Sequence, residues 1–185
     1  MKLGSVFFLL GRLLLAITAA LFVPVFVSYA KKGPDFQAFL ITAGLALIAG
    51  LTLQRTFKPD GELVLGRREA FVLVAAAWVT ASLIGAIPWI IHKGPLFAID
   101  ALFESTSGFT TTGATILTDI EAEPAGLLMW RSLTQWLGGM GIIVLGIAIL
   151  PKLAVGGMEL LGAEAPGPTT EKLTPRIAQT AKALW

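Results

Sequence analysis

The sequence predicts an all-α membrane protein with four transmembrane helices and, between the third and fourth, a short helix that enters the bilayer without crossing it. Three observations carry that prediction. Of 185 residues, 55% are hydrophobic and only 14% charged, with a mean hydropathy of +0.79. A soluble domain has about 25% charged residues and a polar skin, so this composition excludes a water-soluble globule. Four stretches without a charge, Leu13–Ala30, Phe36–Gln54, Ala70–Ile91 and Ser132–Pro151, run for 18 to 22 residues. As helices they span roughly 27 to 33 Å, which matches a hydrocarbon core of about 30 Å. Finally, the segment 94–123, which should be polar if it were a plain loop, contains the apolar run PLFAIDALFESTS.

The first helix is expected to begin before Arg12, whose side chain either snorkels to the interface or faces protein. Lys2, the apolar run and Ser28-Tyr29-Ala30 also fit a signal peptide with a small-x-small cleavage site. Arg12 inside the run and a total length near 28 residues favour a retained helix; sequencing the mature N-terminus distinguishes the two. Pro59-Asp60-Gly61 gives a turn between helices two and three. The fourth helix is expected to start before Arg131, near Pro124. Beyond it, Gly156–Pro168 reads as a Gly- and Pro-rich linker, and Thr174-Pro175 as the start of a further helix with Ile177, Ala181, Leu184 and Trp185 on one face.

Basic residues set the orientation. Lys2, then Arg55, Lys58, Arg67 and Arg68, then Lys152, Lys172, Arg176 and Lys182 fall on one side; Lys31, Lys32 and Lys93 fall on the other. The positive-inside rule therefore places both termini in the cytoplasm. The outer loops instead collect Asp35, Asp100, Asp119, Glu121 and Glu123.

Several functions are excluded or left without support. A net charge of +2, scattered along the chain, does not make a nucleic-acid surface. Zero cysteines remove disulfides, Cys-ligated zinc, iron–sulfur clusters and thiol catalysis, and the single histidine, His92, cannot form a cluster. With no nucleophile–base pair, an enzyme is not expected, nor is any cofactor.

The outer segment is where function is expected. Gly94-Pro95 is a good helix start, and Leu96, Ile99 and Phe103 share one helical face. Thirteen helical residues reach about 20 Å, too short to cross. Gly108 to Thr115 then follows without a charge, and non-helical backbone at membrane depth is tolerated only where protein buries it or it lines a wet cavity. The glycines permit backbone angles closed to other residues, so successive carbonyls can face one axis and replace the hydration shell of K⁺. A TTTG run taken alone is equally a β-turn or loop. Its placement after a short apolar helix between two spans favours the pore loop.

Two stretches carry a resemblance. Phe103-Glu104-Ser105-Thr106-Ser107-Gly108-Phe109-Thr110-Thr111-Thr112-Gly113-Ala114-Thr115 and Trp130-Arg131-Ser132-Leu133-Thr134-Gln135-Trp136-Leu137-Gly138-Gly139-Met140-Gly141 resemble the first pore repeat of the TrkH family, in the Trk/Ktr/HKT superfamily of K⁺ transport proteins. Glu171 to Ile177 resembles the linker before that family's second repeat. The resemblance implies four helix–pore loop–helix repeats in pseudo-fourfold array, of which this sequence contains one. It implies two accessory transmembrane helices over 1–57, a cytoplasmic turn over 58–68, the first repeat over 69–153, and a cytoplasmic linker with the start of the next helix over 154–185. It makes Gly113 the filter glycine, with the backbone carbonyls of Thr110, Thr111 and Thr112 beside it as ligands of a transported K⁺. It further implies membrane lipid, the remaining repeats or other copies of the chain, and a TrkA-like cytoplasmic nucleotide-binding subunit as partners, in a bacterial inner membrane. A non-conducting scaffold and a homotetrameric one-repeat channel remain alternatives.

Glu104 and Arg131 are the charged residues expected at membrane depth, where a charge is expensive unless paired. They read as a structural pair bracing the short helix; the alternative makes Glu104 an ion ligand. Asp100, Asp119, Glu121 and Glu123 either concentrate cations at an outer mouth or form an ordinary solvated loop. Gly138, Gly139 and Gly141 read as close-packing positions in helix four, and Trp89, Trp130, Trp136 and Tyr29 as interfacial anchors.

Overall fold

The structure, a computed structural model, describes residues 3–59 and 65–141. All regular structure among them is helical. The helices are α1 (Leu3–Ala30), α2 (Phe36–Thr56), α3 (Arg67–Lys93), a single 3₁₀ turn (Pro95–Phe97) leading into α4 (Ala98–Phe109), and α5, helical over 125–141. The chain divides into two units, Met1–Trp136 and Leu137–Trp185; in the second only 137–141 is described, and it is helical. The rest of the fourth span, the linker and the final helix start lie outside the described residues, as does the Asp60-Gly61 turn.

Among the described residues, three helices are long and apolar enough to cross a membrane: α1 with 28 residues, α2 with 21, and Arg68–Lys93 with 26. The first does begin before Arg12, and the Arg12 guanidinium lies 4.9 Å from the centre of the Phe8 ring. By contrast, α4 has 12 residues, about 18 Å of helix, and cannot span.

Close packing of small residues joins α1 to α2. A Cβ on Gly11 would stand 2.9 Å from the Gly50 carbonyl oxygen, and one on Gly50 would stand 3.1 Å from that of Gly11. Ala38, Ala43 and Ala46 are buried nearby, and Thr18 and Thr42 donate to carbonyls one turn back, 2.8 and 2.7 Å away. Lipid gives apolar helices no hydrophobic reason to associate, so such backbone approach supplies the dispersion contacts that hold them. Gly11→Ala is therefore expected to lower stability by about 1–3 kcal/mol through overpacking, read as earlier thermal loss of the monodisperse species in detergent. An unchanged transition would remove Gly11 from this role. Facing outward instead are Phe22, Phe26, Ile41, Leu45, Ile48, Val79 and Leu83.

Two aromatic expectations are corrected. Trp89 and Trp130 are 1% and 0% exposed, so both are core residues rather than interfacial anchors. Tyr29, at 69% exposed, retains the geometry of an anchor.

Candidate functional site

The site is built on α4, and that helix is turned inside out relative to one in a soluble protein. Its buried residues are Ala101, Glu104, Ser105, Ser107, Gly108 and Phe109, small or polar for the most part. Leu96, Ile99, Leu102 and Phe103 are exposed. The helix extends further than sequence suggested, because Gly108 and Phe109 are helical rather than part of the extended stretch. Both pack inward: a Cβ on Gly108 would collide with the Thr134 side chain, and the Phe109 ring meets Trp130 edge-on.

Thr110 ends α4 as its C-cap, donating from Oγ1 to the Thr106 carbonyl at 2.7 Å. Thr111 then adopts φ +58 and Gly113 φ +75. A left-handed β-branched residue such as Thr111 is a genuine outlier costing of order 1–3 kcal/mol. Local hydrogen bonds hold it there: the Thr111 amide donates to Gly108 O and the Thr112 amide to Ser107 O, both at 3.0 Å. The hydroxyls of Thr110 and Thr112 are 2.8 Å apart.

Behind the loop, polar side chains secure the chain as it leaves. Ser107 Oγ donates to Ala114 O at 2.6 Å. Glu104 is 3% exposed; its Oε1 accepts from Thr115 Oγ1 (2.5 Å) and the Ile116 amide (2.8 Å), and its Oε2 from Arg131 Nε (3.3 Å). Arg131 also extends Nη2 to the Gly113 carbonyl, 3.4 Å away. The carboxylate therefore accepts three hydrogen bonds from protein donors. In front, residues 110–114 are exposed, and a Cβ at Gly113 would meet nothing within 4 Å. Among the described residues no donor reaches the carbonyl oxygens of Thr111 and Thr112.

Of the outer carboxylates, Asp100, Asp119 and Glu121 are exposed, with Asp119 Oδ1 accepting from the amides of Glu121 and Ala122 in its own turn. Glu123 pairs with Lys93 at 2.5 Å, joining the end of α3 to the segment before α5. Asp35 lies in the α1–α2 connection and is fully buried there. It stands at the N-cap position of α2 but makes no side-chain bond to that helix. Its Oδ2 instead accepts from the Leu127 amide, 2.9 Å away and 92 residues later, while Oδ1 accepts from Ser28 Oγ. Gly33-Pro34-Asp35 resembles a local helix start, so no signal along the sequence indicated this distant partner. Among the described residues no group of three His, Asp or Glu side chains is placed to hold a metal ion.

Three bilayer-length helices, one half-length helix and an exposed loop braced from behind define a polytopic all-α membrane protein with a built segment between two of its helices. Comparison with known proteins takes this further. The family model described as "TrkH: Cation transport protein" matches residues 36–185. Trk system potassium uptake protein TrkH of Halomonas elongata is 41% identical over the whole chain, and that of Escherichia coli K12 is 43% identical over 96% of it. The crystal structure of the potassium transporter TrkH from Vibrio parahaemolyticus superposes with a TM-score of 0.79 at 33% identity, covering all of this chain. The chain belongs to the TrkH family of cation transport proteins, which is not a family of enzymes. It spans 36–39% of the length of these relatives.

Proposed function

We propose that this chain contributes one K⁺-selecting loop to a potassium uptake protein of the bacterial inner membrane. The observation that carries the reading is the asymmetry of the loop. Its back is tied to Glu104, Ser107 and Arg131, whereas its front is exposed and uncharged, with carbonyl oxygens at Thr111 and Thr112 that no donor among the described residues reaches. Backbone carbonyls held in this way can replace part of a K⁺ hydration shell without collapsing onto one another. Thr111 and Thr112 are the principal ligands, Thr110 and Gly113 complete the loop, and Gly113 permits its left-handed turn. The Glu104–Arg131 pair is structural. K⁺ is cargo, and no cofactor is required.

Residues 1–57 act as accessory helices, 58–68 as a cytoplasmic turn, 69–153 as the loop-bearing repeat and 154–185 as a cytoplasmic linker, with both termini inside. A complete carbonyl ring needs further loops, from other repeats or from other copies, and a TrkA-like regulatory subunit is a fitting cytoplasmic partner. Three readings test the proposal: the assembly mass of the purified chain, its K⁺ against Na⁺ flux in liposomes, and growth at low K⁺ of cells in which the chain replaces the matching region of a full-length relative. K⁺-selective growth in the exchange is expected. Growth without K⁺ preference, or none despite a correctly inserted protein, would overturn it. Flux from the chain alone, with a tetramer's mass, would instead favour the homotetrameric channel.

Gly113→Ala supplies a sharper prediction. Space is open around it, so the cost is conformational, about 1–2 kcal/mol for an L-residue at positive φ. The exchanged protein should remain folded and lose K⁺ over Na⁺ discrimination, measured as the ratio of initial uptake rates. Retained discrimination would mean that the backbone at Gly113 does not shape the ion path.

A further inference from the structure

Asp35 is a buried carboxylate with no cationic side chain among its hydrogen-bond partners in the described residues, and nothing in the proposed ion path uses it. Its two oxygens are divided between Ser28, in the last turns of α1, and the Leu127 amide, in the first turn of α5. A helix N-terminus carries unpaired amides and a partial positive charge, so a carboxylate there is favoured by both hydrogen bonding and the dipole. The contact requires close approach. A Cβ on Gly126 would collide with Asp35 Oδ2 and stand 3.0 Å from both Phe39 Cε2 and Ser28 Cβ.

One helical turn beyond Leu127 is Arg131, on the same side of α5. Arg131 is the residue that connects Glu104 to the Gly113 carbonyl. Between the two positions, Trp130 is fully buried, edge-on to Phe39 of α2 and hydrogen-bonded through Nε1 to Gly85 O of α3 at 3.0 Å. The start of α5 is thus fixed to the α1–α2 connection at one level and to the loop at the next. We propose that Asp35 is a positioning residue for the filter loop: by capping α5 from the α1–α2 connection, it sets where Arg131 meets Glu104 and the Gly113 carbonyl. This gives the first two helices a task in conduction although they contribute no residue to the loop. It rests on the proposed filter reading for its functional consequence, but the mechanical link can be measured without it.

The experiment is amide hydrogen exchange on the full chain in lipid nanodiscs, followed by mass spectrometry, with ion flux in the exchanged relative as a second readout. Asp35→Ala removes the cap, Ser28→Ala removes one of its two hydroxyl or amide partners, and Gly126→Ala pushes the carboxylate away from the other side. Gly11→Ala is the control, because it strains the α1–α2 crossing without touching α5. The reporters are the amides of Thr112, Ile116 and Leu117, bonded respectively to Ser107 O, Glu104 Oε1 and Thr115 Oγ1.

Asp35→Ala and Gly126→Ala are expected to speed exchange at these three amides by about tenfold, and Ser28→Ala by less, as local opening becomes easier. Gly11→Ala should leave them unchanged. Asp35→Asn, which keeps an acceptor for Leu127, should restore most of the protection. Lost protection at Leu127 with unchanged exchange at residues 112–117 would overturn the proposal, as would equal loosening by Gly11→Ala. If the unsubstituted chain fails to confer K⁺ selectivity on the exchanged relative, the filter reading falls. The exchange result then still decides whether Asp35 positions the loop.

Discussion

Glu104→Gln is expected to lower stability by about 2–4 kcal/mol, within or just below the range for breaking one member of a buried ion pair. The physical reason lies in which donors surround the carboxylate. Gln can still accept from Thr115 Oγ1 and the Ile116 amide, but its amide nitrogen would then face Arg131 Nε, donor against donor. The Arg131 side chain is 19% exposed, so water offsets part of the loss. Arg131 would also lose the acceptor that directs it toward the Gly113 carbonyl, so the loop should loosen with the fold. Thermal unfolding in detergent reads the stability, and a second variant combining Glu104→Gln with Arg131→Met should recover part of it, because an apolar replacement leaves no charge uncompensated. A Glu104→Gln protein of normal stability that had lost only its ion preference would make Glu104 an ion ligand and sink the structural reading.

Trp130→Ala should cost about 3–5 kcal/mol, the usual range for emptying a buried aromatic site. This side chain joins three other helices: its ring lies 6.4 Å from Phe39 and 6.2 Å from Phe109, both edge-on, and its nitrogen reaches Gly85 O. Much of the apolar surface between α2, α3, α4 and α5 therefore loses its partner atoms at once. Trp130→Phe separates shape from hydrogen bonding; it keeps most contacts, removes only the indole donor to Gly85 O, and should cost about 1 kcal/mol. The same detergent transition ranks the two variants. Equal and small effects would show that α5 is held by something other than this ring.

Much of this protein could be read along the chain. Charge-free stretches of bilayer length appear as α1, α2 and α3 because a helix in lipid satisfies its own backbone, so composition and length suffice to specify it. The short helix was legible for the same reason, from Gly94-Pro95 and a run too brief to cross. Its end was misplaced by two residues, since Gly108 reads as a breaker. In the fold it is the gap that admits Thr134, which keeps the helix intact to Phe109.

Sequence alone thus determined the membrane class, the three described spans, the half-length helix and the uncharged Thr- and Gly-rich loop after it. It also singled out Glu104 and Arg131, because a charge in an apolar setting demands a partner. Only the tertiary structure decided what those charges hold: Thr115 and Ile116 on one side, the Gly113 carbonyl on the other. It alone moved Trp89 and Trp130 from the interface to the core, and gave Asp35, in the α1–α2 connection, a buried partner in the Leu127 amide 92 residues away. Periodicity and hydropathy report each segment's preference for lipid or water. Which polar group meets which is settled by the crossing of helices, where close approach at small residues such as Gly126 brings distant atoms within hydrogen-bonding reach.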